Sequence, residues 1–274
     1  MGSLRVRVSR PISRPLSHPL THSLGGLGVA LDPLQSLITS LFNSNEQGAF
    51  YIPKPIVLGT QSLFQDSAGT VPVTADGDPV GLMIDQSGNT NPATQSVSAD
   101  RTTYKIAGGI ESLTYDGITD FISNRSDFKY QQFTCSLWVK SDAGQKSYAN
   151  IIDVNHGTNL GWAIERSGAN SYYFYLNGPG AEFTLTPDVW NNITLTADSV
   201  ADVKKVYING SEVNSEPRGN ITYKSSSNLY LVTWGQKSGR EWKGEMGEVI
   251  LVKKVLTPTE VQQVFDASRN RYGV

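Results

Sequence analysis

The chain has 274 residues, with 23 Lys and Arg against 25 Asp and Glu, one cysteine, 26 glycines and 13 prolines. No run approaches the roughly 20 apolar residues that a membrane-spanning helix needs, and Cys135 has no partner within the chain, so an integral helical membrane protein and a disulfide framework are both excluded. The net charge of −2 hides an asymmetry: residues 1–30 hold Arg5, Arg7, Arg10 and Arg14 and no acid, which leaves −6 on residues 31–274.

Within that basic arm a four-residue unit recurs: Ser9-Arg10-Pro11-Ile12, Ser13-Arg14-Pro15-Leu16, Ser17-His18-Pro19-Leu20, and a proline-free copy, Thr21-His22-Ser23-Leu24. Proline fixes φ and removes a backbone donor, so neither a helix nor a central strand runs through it. An extended strap remains, too poor in apolar area to offset its own ordering entropy. Prolines interrupt every apolar stretch, which argues against a secretory leader. By composition the strap is a disordered tail or a partner-docking arm. The regular series Ile12, Leu16, Leu20 and Leu24 favours docking on protein, and four arginines without interleaved aromatics make nucleic acid the lesser expectation. A strap that needs a partner also argues for an assembly, including a homo-oligomer, over a free monomer.

Residues 31–79 are expected to hold a short helix and a connector. Asp32 suits the N-cap and Pro33 the first helical position. Leu34, Leu37, Ile38 and Leu41 then form one apolar stripe. Residues 66–92 are dense in Asp, Gly, Pro, Ser and Asn, the composition of loops and short strands.

From about residue 80 the pattern turns to period two. Phe133, Cys135, Leu137 and Val139 alternate with Thr134, Ser136, Trp138 and Lys140. Phe174 and Leu176 alternate with Tyr173 and Tyr175 up to Asn177-Gly178, and Val206 and Ile208 flank Tyr207 up to Asn209-Gly210, two hairpin signals. Ile193 with Leu195, Leu229 with Leu231, and Val249 with Leu251 continue the series. Many short strands with one apolar face predict an all-β domain over residues 80–274, two antiparallel sheets in a jelly-roll sandwich. Thr257-Pro258-Thr259-Glu260 predicts a capped C-terminal helix whose Val261, Val264 and Phe265 dock on it.

These residues carry a resemblance. Asp85-Gln86-Ser87-Gly88-Asn89-Thr90-Asn91, the segment Leu113 to Phe121 with its Asp116-Gly117 turn, and the strand Phe133 to Lys140 occur in order with Trp190, the Val206 to Gly210 hairpin, Leu229-Tyr230-Leu231, Gly244 to Val249 and the Leu256 to Val261 helix start. Together they resemble the laminin G-like branch of the concanavalin A-like lectin sandwiches. Upstream, Asn45 to Tyr51, Phe64 to Thr70 and the Ser-Arg-Pro-aliphatic arm resemble proteins of tailed bacteriophages. The second resemblance implies a virion component, assembled in the bacterial cytoplasm and joined to capsid or tail proteins through its arm. The first implies a lectin-like domain and, as the alternative, adhesion to a host-surface glycan.

Three chemistries follow for the sandwich. Retaining glycoside hydrolysis needs two carboxyl groups about 5–5.5 Å apart. Glu245 and Glu248, three residues apart, are expected on opposite faces of a regular strand, and Asp153 beside His156 lacks an activated nucleophile, so no catalytic residue is assigned. The family resemblance implies calcium in some members, with Asp116, Asp120 and Glu248 as candidate ligands; Gly247 stands where an aspartate is usual, and three carboxylates are only part of the six to eight oxygens calcium takes. No cofactor is assigned on this basis. Trp138, Tyr173, Tyr175 and Tyr207 point away from the core and are expected to form an aromatic platform for sugar rings, provided those faces are open.

Overall fold

The computed structural model describes residues 33–154, 160–176, 180–235 and 239–274. The arm with Arg5, Arg7, Arg10, Ile12, Arg14, Leu16, Leu20 and Leu24, the Asp32 cap, His156 and the Asn177-Gly178 turn lie outside the described residues.

Helix α1 (Pro33–Phe42) starts at its proline, where a missing N–H costs a helix nothing. Seven short strands follow: β1 (Gly48–Tyr51), β2 (Ile56–Val57), β3 (Thr60–Gln61), β4 (Leu63–Phe64), β5 (Pro79–Val80), β6 (Leu82–Met83) and β7 (Ala93–Thr94). Next come β8 (Thr102–Ala107), β9 (Ile110–Asp116), β10 (Ile122–Asn124), β11 (Phe133–Ser141), β12 (Asn150–Val154), β13 (Trp162–Arg166) and β14 (Ser171–Leu176). The last strands are β15 (Ala181–Thr184), β16 (Trp190–Asp198), β17 (Val203–Ile208), β18 (Ser211–Pro217), β19 (Leu229–Leu231) and β20 (Lys243–Val252), before helix α2 (Pro258–Ser268).

Two large antiparallel sheets result. The first runs β18-β17-β16-β11-β20-β9-β8-β5, with β1 on the second half of β20; the second runs β15-β14-β13-β12-β19-β10-β7-β6-β4. The alternating pattern therefore produces the expected sandwich. Phe133, Cys135, Leu137 and Val139 of β11 meet Ile152, Val154, Trp162, Ile164, Phe174 and Leu176 of the other sheet in one buried core. Phe133 stacks on Trp162 at 4.7 Å and meets Phe174 edge-on at 6.2 Å. Each such side chain contributes about 1.5–3 kcal/mol by leaving water. At Asn209-Gly210 both residues have positive φ, as a two-residue hairpin turn between β17 and β18 requires.

Residues 33–79 are woven into the sandwich instead of preceding it, and Asp32–Val274 form one compact unit. Residue 80 is therefore not a structural division. β1 pairs with β20 over Gly48–Tyr51, and β4 closes the edge of the second sheet. The Asp85 carboxylate fixes β1 from the side, accepting from Phe50 N–H at 2.8 Å while also accepting from Ser87 and Asn91 N–H. Asn91 Nδ2 donates to Gly48 O at 2.7 Å, and Tyr51 donates to Asn91 O at 2.7 Å. The Asp85-to-Asn91 segment is thus a polar clasp between the upstream strands and the sandwich.

Both helices lie on the outer face of the first sheet. α2 carries the expected capping box: Glu260 N–H donates to Thr257 Oγ1 at 3.3 Å, and Thr257 N–H donates to the Glu260 carboxylate at 2.7 Å. Val261 and Val264 join Ile38, Leu41, Phe50, Tyr207 and Ile250 in a second buried cluster. Phe265 and Tyr272 join Trp138 and Trp190 in a third. Thr257→Ala should lower stability by about 1 kcal/mol. Tyr272→Ala, which empties the space above Trp138, should lower it by on the order of 3 kcal/mol or more and shift indole emission to the red. Urea unfolding followed by fluorescence measures both; equal losses would contradict this ranking.

Candidate functional site

A sandwich has two outer faces, and on the first sheet the helices cover the part that carries Trp138 and Tyr207. On the first sheet, Trp138 is 1% exposed, stacked on Tyr272 at 4.4 Å and on Phe265 at 5.8 Å, with its indole N–H donating to Ser268 Oγ at 2.8 Å. Tyr207 is buried beneath α1 and α2. Both point away from the core, as their strand parity dictates, yet neither can meet a sugar, because the helices cover that face. The expected four-residue platform is therefore corrected. Tyr173 and Tyr175 stand on the other sheet.

The outer face of the second sheet carries directly paired residues in a continuous rung. Thr94 of β7 pairs with Ser123 of β10, Ser123 with Tyr230 of β19, and Tyr230 with Asp153 of β12. Asp153 pairs with Ala163 of β13, and Ala163 with Tyr175 of β14. Thr94, Ser123 and Tyr230 floor a cleft of about 900 Å³ whose walls include Gln95, Phe121, Arg125, Asn228 and Thr233. Gln95 stiffens one wall, its Nε2 donating to Phe121 O at 3.2 Å while its Oε1 accepts from Val97 N–H at 3.0 Å. Asn228 Nδ2 reaches the Tyr230 hydroxyl at 3.4 Å on the other side. Among the described residues lining it, Asp100 is the one acid and Arg125 the one base. Hydroxyl and amide groups otherwise dominate.

Beside the cleft a ridge is built from the β11–β12 and β19–β20 connections. Arg240 lies 4.6 Å from the Trp234 ring and 5.2 Å from that of Tyr148. Its Nη1 is 2.7 Å from Glu165 on β13. Burial pushes the Glu165 carboxyl up even against that guanidinium. Burial also raises the Tyr175 phenol, with Glu165, Tyr173 and Tyr148 nearby. Tyr173 and Tyr175 meet edge-on at 5.3 Å, both half-buried. Sequence reasoning found this tyrosine pair and missed Tyr230, which obeys the same parity between Leu229 and Leu231. Trp234, Arg240 and Tyr148 sit in connections, where periodicity gives no signal.

The carboxylates are committed to other work. Leu137 pairs with Val249 but Val139 pairs with Met246, so Trp138 opposes both Gly247 and Glu248 in a β-bulge. Met246 and Val249 both enter the core, which turns Glu245 and Glu248 onto the same outer face. The expectation of opposite faces fails because the extra residue inverts the parity. Glu245 nevertheless accepts from Lys105 at 3.0 Å, Lys140 at 3.3 Å and Ser112 at 3.1 Å, and these partners outweigh burial to hold its carboxyl below the usual range. Glu248 is paired with Arg271, and Tyr272 seats its hydroxyl on Glu248 N–H at 2.9 Å. A Cβ at Gly247 would run into the Tyr272 ring, which accounts for glycine there.

The calcium candidates do not converge. Asp116 Oδ1 accepts three N–H groups, from Ile118, Thr119 and Asp120, and Asp120 Oδ2 accepts from Asp116 N–H at 3.0 Å. They close their own turn, while Glu248 is held by Arg271. Among the described residues, no group of three or more His, Cys, Asp or Glu is placed to hold a metal ion. The donor set therefore does not fit a calcium site. In the turn, donation from three N–H groups outweighs burial and keeps the Asp116 carboxyl low. Burial first, then the Asp116 and Asp100 charges, push Asp120 up to about 6.

Because the folded chain holds the Asp120 proton more tightly than the unfolded one, its contribution is full below an ordinary carboxyl pKa of 3.8 and is lost as pH rises to about 6. Asp120→Asn keeps the acceptor for Asp116 N–H and removes the charge. The variant should match the parent near pH 4 and melt higher near pH 7. Thermal unfolding across that range measures it, and parallel curves would contradict the assignment.

Comparison with known proteins agrees with this geometry. A family profile described as the concanavalin A-like lectin/glucanases superfamily matches residues 115–262. No curated protein sequence matches the chain. Domain 4 of AbnA, a GH43 extracellular arabinanase from Geobacillus stearothermophilus solved in complex with arabinotriose, superimposes with a TM-score of 0.53 at 18% identity, covering 66% of this chain and 91% of that one. The binding domain of Paraclostridial mosquitocidal protein 1 gives 0.54 at 16% identity, covering 69% and 50%. Trypanosoma rangeli sialidase in complex with sialic acid gives 0.55 at 14%, covering 83% and 33%. The chain thus spans about half of the toxin domain and a third of the sialidase, and at these identities the likeness is one of fold. With two antiparallel sheets, a capped C-terminal helix and a profile match over more than half its length, the chain belongs to the laminin G-like family of the concanavalin A-like lectin/glucanases superfamily.

Proposed function

We propose that this chain is a non-enzymatic binding component that holds a glycan in the cleft on its second sheet. The observation that carries the reading is the cleft itself, a concave surface of about 900 Å³ floored by Thr94, Ser123 and Tyr230 and rich in hydroxyl and amide groups. A sugar presents hydroxyls that such groups satisfy and apolar ring faces that a half-exposed tyrosine can pack against. Absence of hydrolysis is supported by the fate of the carboxylates. Glu245, Glu248 and Glu165 each face a cation, and Asp100 is the one acid in the cleft among the described residues, whereas hydrolysis takes a pair.

A second reading concerns where the module works. The Ser-Arg-Pro-aliphatic arm and the phage-like segments Asn45 to Tyr51 and Phe64 to Thr70 favour a tailed-phage particle, with the arm on capsid or tail proteins and the sandwich displayed. In that setting the localisation is the virion and the glycan belongs to the host surface.

Three measurements test these readings. The full chain on an array of bacterial surface glycans should bind at least one glycan, and Tyr230→Ala should weaken that binding about tenfold, or about 1.4 kcal/mol. No binding, or binding indifferent to the change, would count against the cleft. Incubation with the bound polysaccharide should release no new reducing ends; turnover would overturn the non-enzymatic reading. Deletion of residues 1–30 should abolish incorporation into particles, and normal incorporation would sink the virion reading.

A further inference from the structure

The ridge beside the cleft has no role in the reading above, and several features set it apart from a simple cover. Trp138, Trp162, Trp190 and Trp242 are all buried, whereas Trp234 is half-buried. Tyr148 is 57% exposed, so it contributes little by shielding the sheet beneath. Arg240 keeps both rings in place, lying over each while Glu165 anchors its guanidinium from below. The backbone is forced as well. Tyr148 has φ +59°, and the buried, β-branched Val232, two residues before Trp234, has φ +77°. A β-branched side chain adopts that conformation only where its surroundings impose it, and such positions gather at ligand-holding sites.

The ridge is also continuous with the cleft. Thr233 and Gly235, on either side of Trp234, line the cleft wall. The rung that starts at Thr94 and Ser123 passes through Tyr230, runs under cover at the fully buried Asp153 and Ala163, and emerges again at the half-buried Tyr175. At about 4.8 Å per strand, its five steps span roughly 24 Å. That is several sugar rings long.

We infer that the Tyr148–Arg240–Trp234 ridge is a second saccharide subsite continuous with the cleft, so that the ligand is an extended oligosaccharide lying across the strands and not a single terminal sugar. The inference rests on the glycan-binding reading of the cleft. Rings in the cleft meet hydroxyl and amide partners, and the rings that follow pack their apolar faces on Trp234 and Tyr148. Arg240 holds the two aromatic faces at a set separation and has N–H groups beyond the one spent on Glu165.

The test uses the full chain and length series, one to six units, of cello-, malto- and chito-oligosaccharides, together with polysaccharide released from bacterial lipopolysaccharide. Binding is measured by calorimetry. Iodide quenching of indole emission, which reaches Trp234 before its four buried counterparts, reports on the ridge. A probe that binds should protect Trp234 from iodide, and its affinity should rise at least tenfold between one and four units. Tyr148→Ala and Trp234→Ala should flatten that length dependence, and Trp234→Phe should restore most of it. Failure of every probe to bind the unaltered chain would overturn the glycan reading and this inference with it. Binding that is weakened by Tyr230→Ala yet unchanged in both ridge variants would overturn the ridge subsite alone and leave the cleft standing.

Discussion

Tyr272 stacks on Trp138 at 4.4 Å, and that contact decides which face of the sandwich is available. A β-sheet strand sends alternate side chains to both faces, so two packed sheets always leave two outer surfaces to be wetted or covered. Here α1, α2 and the C-terminal Tyr272 cover the first sheet, with Phe265 and Ser268 completing the seat around the indole. The phenol reaches Glu248 N–H because residue 247 has no side chain to obstruct it. That cover takes Trp138 and Tyr207 out of contact with solvent and leaves Tyr173, Tyr175 and Tyr230 of the second sheet half-buried.

The bulge at Gly247-Glu248 is the other half of the same arrangement. One extra residue opposite Trp138 brings Glu245 and Glu248 to the same face, which would suit a carboxylate pair in a hydrolase. Their surroundings lead elsewhere. Lys105 and Lys140 hold Glu245 ionised, and Arg271, three residues beyond the end of α2, holds Glu248. Glu245 ties together β8, β9 and β11 within the sheet, and Glu248 fastens the covering layer to it. Asp116 and Asp120 similarly spend their oxygens on their own turn, which places a structural role where the family resemblance suggested calcium.

The open face derives its character from connections as much as from strands. β7, β10 and β19 are two or three residues long, and each contributes one side chain to the cleft floor. The walls come from the segments between them, and the ridge from the β11–β12 and β19–β20 connections. The Asp85 clasp matters here too, because it locks β1 and the turn before β7 onto the body of the sandwich. Ser67 lines the cleft as well, so residues 33–79, which look like a linker by composition, are part of what shapes the site.

Local patterning by itself determined the two-sheet class, the Asn209-Gly210 hairpin, the capping box at Thr257 and Glu260, and the outward direction of Trp138, Tyr173, Tyr175 and Tyr207. Each of these follows from strand parity or from hydrogen bonds within a few residues, which short-range sequence encodes. The same parity rule placed Tyr230 outward, so part of the cleft was legible too. Only the tertiary structure decided that Trp138 and Tyr207 are buried, since the helices that cover them are far away in the chain. Only it revealed the bulge, because one inserted residue reverses parity with no change in composition. The cleft and its ridge unite Thr94, Ser123, Tyr148, Tyr230, Trp234 and Arg240, and residues so far apart become neighbours through strand order, a property of packing that no local pattern records.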